Sequence, residues 1–269
     1  SHWQEIADYV VPRKADITRK RTPGDKRTSL IFDGTAIHAA ELLSASLHGM
    51  LTSMSSQWFS LQYRQDDLNS DDTAREWLQS VEEIMYKAFS RSNFQEQVHE
   101  LYHDLITFGT AVMFIESDDE KDINFSTRHI GECYLTENDK GRVDTVYRQF
   151  KMPGSAVRKR FGLEKLSKKL QDQIMEHPHE LRELVHAVYP REDLDPTLDP
   201  EEKVVLSESG FDELPYCCPR WLKSSYEVGY GRSPSYTSLP DIKMLNKMCE
   251  VTIRAAQKQV DPALLVPDD

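Results

Sequence analysis

Apolar residues spaced three and four positions apart predict three helices in the first half of the chain. A run over 32–54, with Asp33 as its candidate N-cap, predicts a buried amphipathic helix. A second helix follows the acidic pair at 71–72, whose charge suits a helix N-terminus. A third covers about 94–108 and ends at Gly109, a typical residue at the end of a helix.

Strand-like runs follow the third helix. Short apolar runs of β type cover 110–115, 129–136 and 143–152, and the polar stretch 137–141 ends in glycine. The last two runs therefore predict a β-hairpin. Because helices and strands alternate without the regular spacing of a doubly wound sheet, we expect an α+β domain over the first 152 residues.

Charge is sorted along the second half of the chain. Six bases and one acid occupy 158–169, on a predicted helix with a narrow apolar seam. Nine acids and two bases occupy 191–213, where prolines break any helix and predict an irregular or β module. A last helix over about 240–260 has an apolar face and, opposite it, a basic row. The basic row consists of Lys243, Lys247, Arg254 and Lys258.

Composition narrows the classes of function. The 269 residues carry 45 acidic and 33 basic side chains, a formal charge of -12, which disfavours wrapping of nucleic acid by the whole surface. No window approaches the roughly 20 consecutive apolar residues of a membrane helix, and the first residues are polar. Four irregularly spaced cysteines suit neither a disulfide framework nor a usual zinc knuckle. We therefore expect an intracellular protein with reduced thiols and no membrane segment.

The third predicted helix contains a possible zinc motif. His99, Glu100 and His103 spell H-E-x-x-H, which puts two imidazoles on one helix face for zinc and supplies a glutamate as base. A working site needs a third ligand, and the acids at 116 and 118–120 lie in no recognisable motif. Patterns with two free positions also arise by chance, so a structural role for these residues is the alternative. Glycine-rich phosphate loops do not occur in the sequence, which argues against nucleotide chemistry.

Five stretches of the sequence resemble one protein family. The opening W-Q-E-I-A-D-Y-V-V-P over 3–12 resembles the start of portal (head-to-tail connector) proteins of short-tailed bacteriophages. The stretch 31–61 looks like that family's first long wing helix, and D-L-I-T-F-G-T-A-V-M-F-I-E over 104–116 is similar to its next signature. The stretch 141–150 looks like its hairpin. The motifs P-R-W and Y-G-R-S-P within 219–234 look like the approach to its ascending stem helix.

The resemblance implies a phage portal fold: a helix-rich wing with β-hairpins, and two stem helices that flank a small clip module. It assigns 1–152 to the wing, 153–185 to the first stem helix and 186–230 to the clip. The second stem helix takes 231–262, and the channel loop begins at 263–269. Members of this family are longer, so we expect a further wing portion and a crown beyond this sequence.

The resemblance also implies a function. Subunits of this family form a ring, usually dodecameric, at one vertex of the capsid, and double-stranded DNA passes through it during packaging and ejection. The implied partners are further copies of the chain, DNA, the terminase large subunit, a tail adaptor, and capsid and scaffolding proteins. The implied location is the virion, and the host cytoplasm during assembly. No enzymatic activity or cofactor is implied, so that the spacing of His99 and His103 would be coincidental.

The charge pattern indicates how such a ring would hold DNA. Twelve copies at -12 give roughly -144, which repels phosphates within a Debye length of about 10 Å, so that the conduit holds DNA loosely. The basic row would contact phosphates if it faced the channel, and a neighbour's acids if it faced the adjoining subunit. We favour the neighbour, because the apolar seams of these helices are too narrow to bury them in a monomer.

The acidic module is the predicted docking surface for the packaging motor and the tail adaptor, because aromatic side chains lie among its carboxylates. The acids that we assign to docking are Glu201, Glu202, Asp212 and Glu213. Two other classes of function stay open. One is a zinc-dependent hydrolase with His99 and His103 as ligands and Glu100 as base; the other is an acidic adaptor that binds proteins without forming a ring.

Overall fold

Eight α-helices and six strands lie along the residues that the computed structural model describes, which are 2–19, 21–22, 24–164, 166–191, 205–225 and 228–260. Five helices precede the first strand: α1 (His2–Val10), α2 (Thr35–Leu51), α3 (Asp66–Asn69), α4 (Asp72–Arg91) and α5 (Phe94–Phe108). A short 3₁₀ turn over Pro12–Lys14 follows α1. Three helices come later: α6 (Gly154–Phe161), α7 (Lys168–Glu176) and α8 (Pro234–Val260). The α+β class predicted from the sequence is confirmed.

The strands form two antiparallel sheets of three strands each. The strands are β1 (Val112–Asp118), β2 (Asp122–Arg128), β3 (Cys133–Glu137), β4 (Val143–Pro153), β5 (Leu181–Val188) and β6 (Tyr216–Cys217). One sheet has the order β2-β1-β6 and the other the order β3-β4-β5. In the first sheet Phe114 lies opposite Ser126 and Tyr216, and in the second Tyr147 lies opposite Tyr134 and Ala187. The two sheets thus contain the predicted hairpin β3–β4 and a second hairpin, β1–β2.

A central core joins the two sheets to α1 and to the end of α5. Phe108, Val112, Phe114 and Val146 are buried in this cluster, and Tyr216 of β6 packs into it from the later part of the chain. Burial of such large apolar side chains is the main stabilising contribution to the fold. Residues around β6 are therefore part of the same core as the first sheet.

The predicted helices α4 and α5 are confirmed. The Asp71 carboxylate caps α4 by accepting hydrogen bonds from the backbone N–H groups of Thr73 and Ala74. Gly109 ends α5 in the left-handed conformation, with φ +80°, and its N–H donates to the carbonyl of Leu105. Both boundaries depend on local chemistry, which explains why the sequence predicts them.

The prediction of a buried helix over 32–54 is correct for the helix and wrong for its burial. Helix α2 begins at Thr35 with Gly34 as N-cap, and only Ala40 and Ser44 are buried on it. Asp33 lies one position earlier and accepts a hydrogen bond from the Thr35 N–H. The described neighbours of α2 cover only one narrow side, so that Met50, for example, is 74% exposed.

The prediction of a single stem helix over 153–185 is wrong. This part of the chain contains α6, α7 and most of β5. Gly162, with φ +74°, ends α6, and an extended segment with alternating burial then pairs along β4 as β5. The residues of β5 alternate between exposed and partly buried. This alternation has a period of two, which is the period of a strand and differs from that of a helix. The predicted second stem helix corresponds to α8, which begins at Pro234, and the predicted channel loop at 263–269 lies outside the described residues.

Candidate assembly and docking surfaces

The contacts that hold helix α8 to the other described elements all lie before residue 251. Leu239 is buried against α1, α2 and α5 in a small apolar cluster. The Asn246 side-chain oxygen accepts hydrogen bonds from the N–H groups of Phe32 and Asp33, and its amide donates to the Leu30 carbonyl at 2.8 Å. From 251 to 260 every side chain is exposed. The second half of α8 is therefore a helix that the described residues leave uncovered.

One side of α8 carries an exposed apolar stripe, which begins before the uncovered part and continues into it. Met244, Met248, Val251 and Ala255 recur at spacings of four and three, which places them on one side of the helix. The first three of these side chains are 60%, 59% and 54% exposed. An apolar stripe of this length on a helix needs a partner, because water is an unfavourable neighbour for it.

Most of the predicted basic row on α8 is paired within the chain. The Lys243 ammonium lies 2.5 Å from a Glu5 carboxylate oxygen on α1. Glu250 pairs with Lys247 at 2.9 Å and with Arg254 at 2.5 Å, and the hydrogen bond from Lys247 lowers the pKa of the Glu250 carboxyl. Lys258 has no ion pair within the described ranges. The row is thus on one helix as predicted, but only one of its four charges lacks a partner among the residues that the structure describes.

The described residues include two of the four acids that we assigned to docking. Asp212 and Glu213 are exposed just before β6, where Tyr216 packs against Phe114 with ring centroids 4.9 Å apart. Glu201 and Glu202 lie outside the described residues. The described part of the docking surface is therefore a short acidic edge next to the first sheet.

The H-E-x-x-H residues lie around a buried ion pair. The Lys14 ammonium is 2.6 Å from Asp104 and 2.8 Å from Glu100. Burial would lower the pKa of Lys14, but the two carboxylates outweigh it and raise that pKa. Burial, together with the charge of Lys14, lowers the pKa of His103. The His99 ring lies beside the ring of His48, with centroids 5.5 Å apart.

These residues line a cavity of about 690 Å³ between the turn after α1, α2 and α5. His99, Glu100 and His103 form part of its wall, together with apolar side chains such as Val11 and Ile37. In the described part of the chain no three His, Cys, Asp or Glu side chains are grouped as a metal site requires. Since Glu100 is already bound to Lys14, the zinc-hydrolase alternative gains no support from this geometry.

A second basic surface lies on α6 and α7, and we call it the basic hairpin. It consists of Arg158, Lys159, Arg160, Lys168 and Lys169, all exposed. Arg160 lies 3.7 Å from Glu116, and Arg158 donates to the sulfur of Met175 at 3.3 Å. Lys159, Lys168 and Lys169 have no ion pair to any residue that the structure describes. The sequence predicted this charge cluster on a stem helix, and the structure places it at the loop between two short helices.

Sequence reasoning missed the contact that positions the approach to α8. The Glu137 side chain at the end of β3 is 8% exposed and binds Arg220, Lys223 and the N–H of Gly229. The Lys223 ammonium lies 2.7 Å from this carboxylate. Because about 90 positions separate Glu137 from these partners in the chain, no local pattern could reveal it.

None of the described helices combines the length and apolar content needed to cross a bilayer. The four cysteines are free.

Comparison with known proteins identifies the family. The sequence model of the family described as bacteriophage head to tail connecting protein matches residues 1–269. The chain is 29% identical to the probable portal protein of Bordetella phage BPP-1 and 28% identical to the portal protein of Salmonella phage epsilon15. Each match covers 99% of this chain and 51% of the relative, so the chain spans about half the length of these curated relatives. As its resemblance to portal proteins of short-tailed phages predicts, this chain belongs to the family of bacteriophage head-to-tail connecting proteins.

Proposed function

We propose that this chain is a portal subunit that assembles into a dodecameric ring at one vertex of the capsid. Double-stranded DNA passes through the ring when the genome is packaged and when it is ejected. The match of the family model over residues 1–269 and the portal proteins among the relatives support this proposal. It assigns the chain no enzymatic reaction and no cofactor.

The exposed apolar stripe on α8 carries the assembly part of the proposal. A ring is built from heterologous contacts, in which one surface of each subunit meets a different surface of the next. Met248 and Val251 are more than half exposed in the single chain, and burial against a neighbour would remove them from water. The stripe is therefore our candidate for a contact between subunits.

The paired basic row fits a conduit that holds DNA loosely. Glu5 and Glu250 engage three of its bases, so that α8 offers DNA a single free ammonium, that of Lys258, among the charges of this row that the structure describes. Lys243 joins α8 to α1 within the chain. We accordingly assign the row to subunit structure and subunit contacts rather than to tight DNA binding.

The acidic edge at Asp212 and Glu213 is our proposed docking surface for the terminase large subunit and later for a tail adaptor. Both side chains are exposed, and Phe211 beside them is 47% exposed, which supplies an aromatic contact among the charges. Capsid and scaffolding proteins would contact the ring elsewhere. The assembled particle would be found in the virion, after assembly in the host cytoplasm.

The proposed division of the chain keeps 1–152 as the wing, 186–230 as the clip and 231–262 as a stem helix. The first stem helix has no counterpart over 153–185, where α6, α7 and β5 lie. Tyr216 of the clip segment packs into the core next to the first sheet.

Substitution on the apolar stripe tests the proposal. Met248→Glu puts a charge where the ring needs an apolar contact, whereas Gln257→Glu adds the same charge on another side of α8. Sedimentation of the full-length protein should show rings for the wild type and for Gln257→Glu, and smaller particles for Met248→Glu. Rings of unchanged size for Met248→Glu would show that the stripe is not part of the contact between subunits.

A further inference from the structure

The basic hairpin is a surface of mostly unpaired positive charge in an acidic chain. Its five bases lie within 158–169, and the only described acid in that interval is the exposed Glu164. Asp172 and Glu176 lie further along α7 and form no described ion pair with Lys168 or Lys169. Apart from Arg160, which lies 3.7 Å from Glu116, the charge therefore faces solvent rather than a partner among the described residues.

The two lysines on α7 lie at the N-terminal end of this helix, where a positive charge is unfavourable. Lys168 and Lys169 occupy the first turn, which contains no acid. The N-terminus of a helix carries a partial positive charge and favours carboxylates, so lysines there do not stabilise α7. The helix end instead adds to the positive potential of the surface, which points to an anionic partner.

The basic row on α8 provides the internal comparison. There, the charges of Lys247 and Arg254 are compensated by Glu250, and Lys243 is compensated by Glu5. On the basic hairpin Lys159, Lys168 and Lys169 lack such partners among the described residues. The hairpin thus offers three free ammonium groups to an incoming anion, whereas the α8 row offers one, that of Lys258, among the charges that the structure describes.

The character of the surface favours nucleic acid over protein. Large apolar residues between Arg158 and Lys169 are partly buried, as Phe161, Leu163 and Leu166 illustrate. Protein interfaces have an apolar centre, whereas DNA interfaces are polar and positively charged. Of the large apolar side chains on α6 and α7, only Met175 is exposed, at 57%. The acidic excess elsewhere on the chain is screened beyond about 8 Å at physiological salt, so it does not cancel this local attraction.

We propose that the basic hairpin binds the phosphate backbone of double-stranded DNA without reading its sequence. The choice of double-stranded DNA as the polyanion rests on the proposed function. Flexible lysines act as point charges that contact phosphates in many geometries, which gives binding that depends on salt rather than on sequence. Each subunit would then touch the DNA through α6 and α7.

Binding of short duplexes to the full-length protein tests this proposal. The variant Lys159→Gln, Lys168→Gln, Lys169→Gln is compared with Lys26→Gln, Lys121→Gln, Lys140→Gln, which removes three exposed lysines elsewhere. The hairpin variant should bind at least about tenfold more weakly at low salt, and its plot of log K against log salt should be shallower by roughly 3. The control should bind like the wild type, and two duplexes of unrelated sequence should give equal affinities.

Two further measurements on the same samples make the outcome decisive. The thermal midpoint of the hairpin variant should be unchanged or raised, because Lys168 and Lys169 oppose the helix end. Particle mass distinguishes failure of the proposed ring from failure of the DNA-binding inference. A wild-type protein that is monomeric, but whose DNA binding still depends on the hairpin, would overturn the ring and support this inference. Unchanged DNA binding in the hairpin variant overturns the inference, and unchanged binding with a reduced particle mass makes the hairpin a protein contact instead.

Discussion

Lys14 and Asp104, ninety positions apart in the chain, form an ion pair in which the ammonium nitrogen lies 2.6 Å from the carboxylate. The Asp104 side chain is only 1% exposed, and burial raises its pKa. The same ammonium also binds Glu100, which is the glutamate of the H-E-x-x-H pattern. This glutamate therefore joins α5 to the turn after α1 and takes part in the packing of the N-terminal segment.

Removal of Lys14 should destabilise the fold strongly. Lys14→Met leaves the Asp104 carboxylate buried without its partner, which costs about 3–5 kcal/mol in the free energy of unfolding. Lys26→Met, at an exposed lysine, should change it by less than about 0.5 kcal/mol. Urea unfolding measures both, and equal effects of the two substitutions would contradict a structural role for the pair.

Acidification should weaken the fold through His103. Burial and Lys14 lower the pKa of this histidine in the folded state, so the unfolded state binds a proton more readily. Its contribution to stability is therefore fully present above the ordinary pKa of about 6.5 and is lost as the pH falls below that value. Glu41 and Glu100 face the ring and reduce this shift, whereas His99 adds to it.

His103→Gln should make unfolding less sensitive to acid. The measurement compares urea midpoints at about pH 7 and about pH 5.5 for the wild type, for His103→Gln and for His38→Gln, an exposed histidine on α2. The difference between the two pH values should shrink in His103→Gln and persist in His38→Gln. A difference that survives unchanged in His103→Gln would assign the acid sensitivity to another group.

Gly109→Ala should disrupt the junction between α5 and the approach to α8. The residue has φ +80°, and a Cβ there would collide with the backbone of Gly231 and Ser233. We expect a loss of roughly 3 kcal/mol or more in the free energy of unfolding. Gly24 has φ +92°, but a Cβ at this position would meet no atom within 4 Å, so Gly24→Ala should cost only about 1 kcal/mol.

Thermal or urea unfolding of both alanine variants provides the comparison. Because the two glycines share a left-handed backbone, any difference between them reports the close approach at Gly109. Similar losses in the free energy of unfolding for the two variants would mean that the backbone of 231–233 does not lie close to Gly109.

Glu137→Ala should loosen the approach to α8. The carboxylate binds Arg220, Lys223 and the Gly229 N–H in a largely buried site, so its loss should cost roughly 3 kcal/mol. Hydrogen exchange should increase over 228–231 while that of α5 stays protected. Glu183→Ala, at an exposed position of β5, is the control and should leave exchange in this segment unchanged.

Local chemistry explains which elements were predictable. The Asp71 cap and Gly109 fix the ends of α4 and α5, and the sequence predicts both. Strand β2 was missed because its burial is irregular, with only Phe125 fully buried. The prediction for 153–185 failed because α6 and α7 are short and β5 is stabilised by pairing with β4, which lies earlier in the chain.

For the candidate surfaces too, features that depend on local sequence were predictable, and features that depend on distant residues were not. The sequence predicts that the bases of α8 share one side, since helical periodicity is local. It does not predict that Glu5 pairs with Lys243, because 238 positions separate them. The exposure of the apolar stripe could not be predicted either, since burial depends on which distant elements reach α8.

The mass of the full-length particle in solution tests the central claim most directly. Native mass spectrometry or light scattering should give a closed ring, as cyclic assembly through one repeated heterologous contact predicts. The proposed function sets the size of this ring at about twelve subunits. Zinc measured on the same sample should fall far short of one ion per chain. A monomer or dimer with one zinc per chain would contradict the portal assignment and return the function to His99, Glu100 and His103.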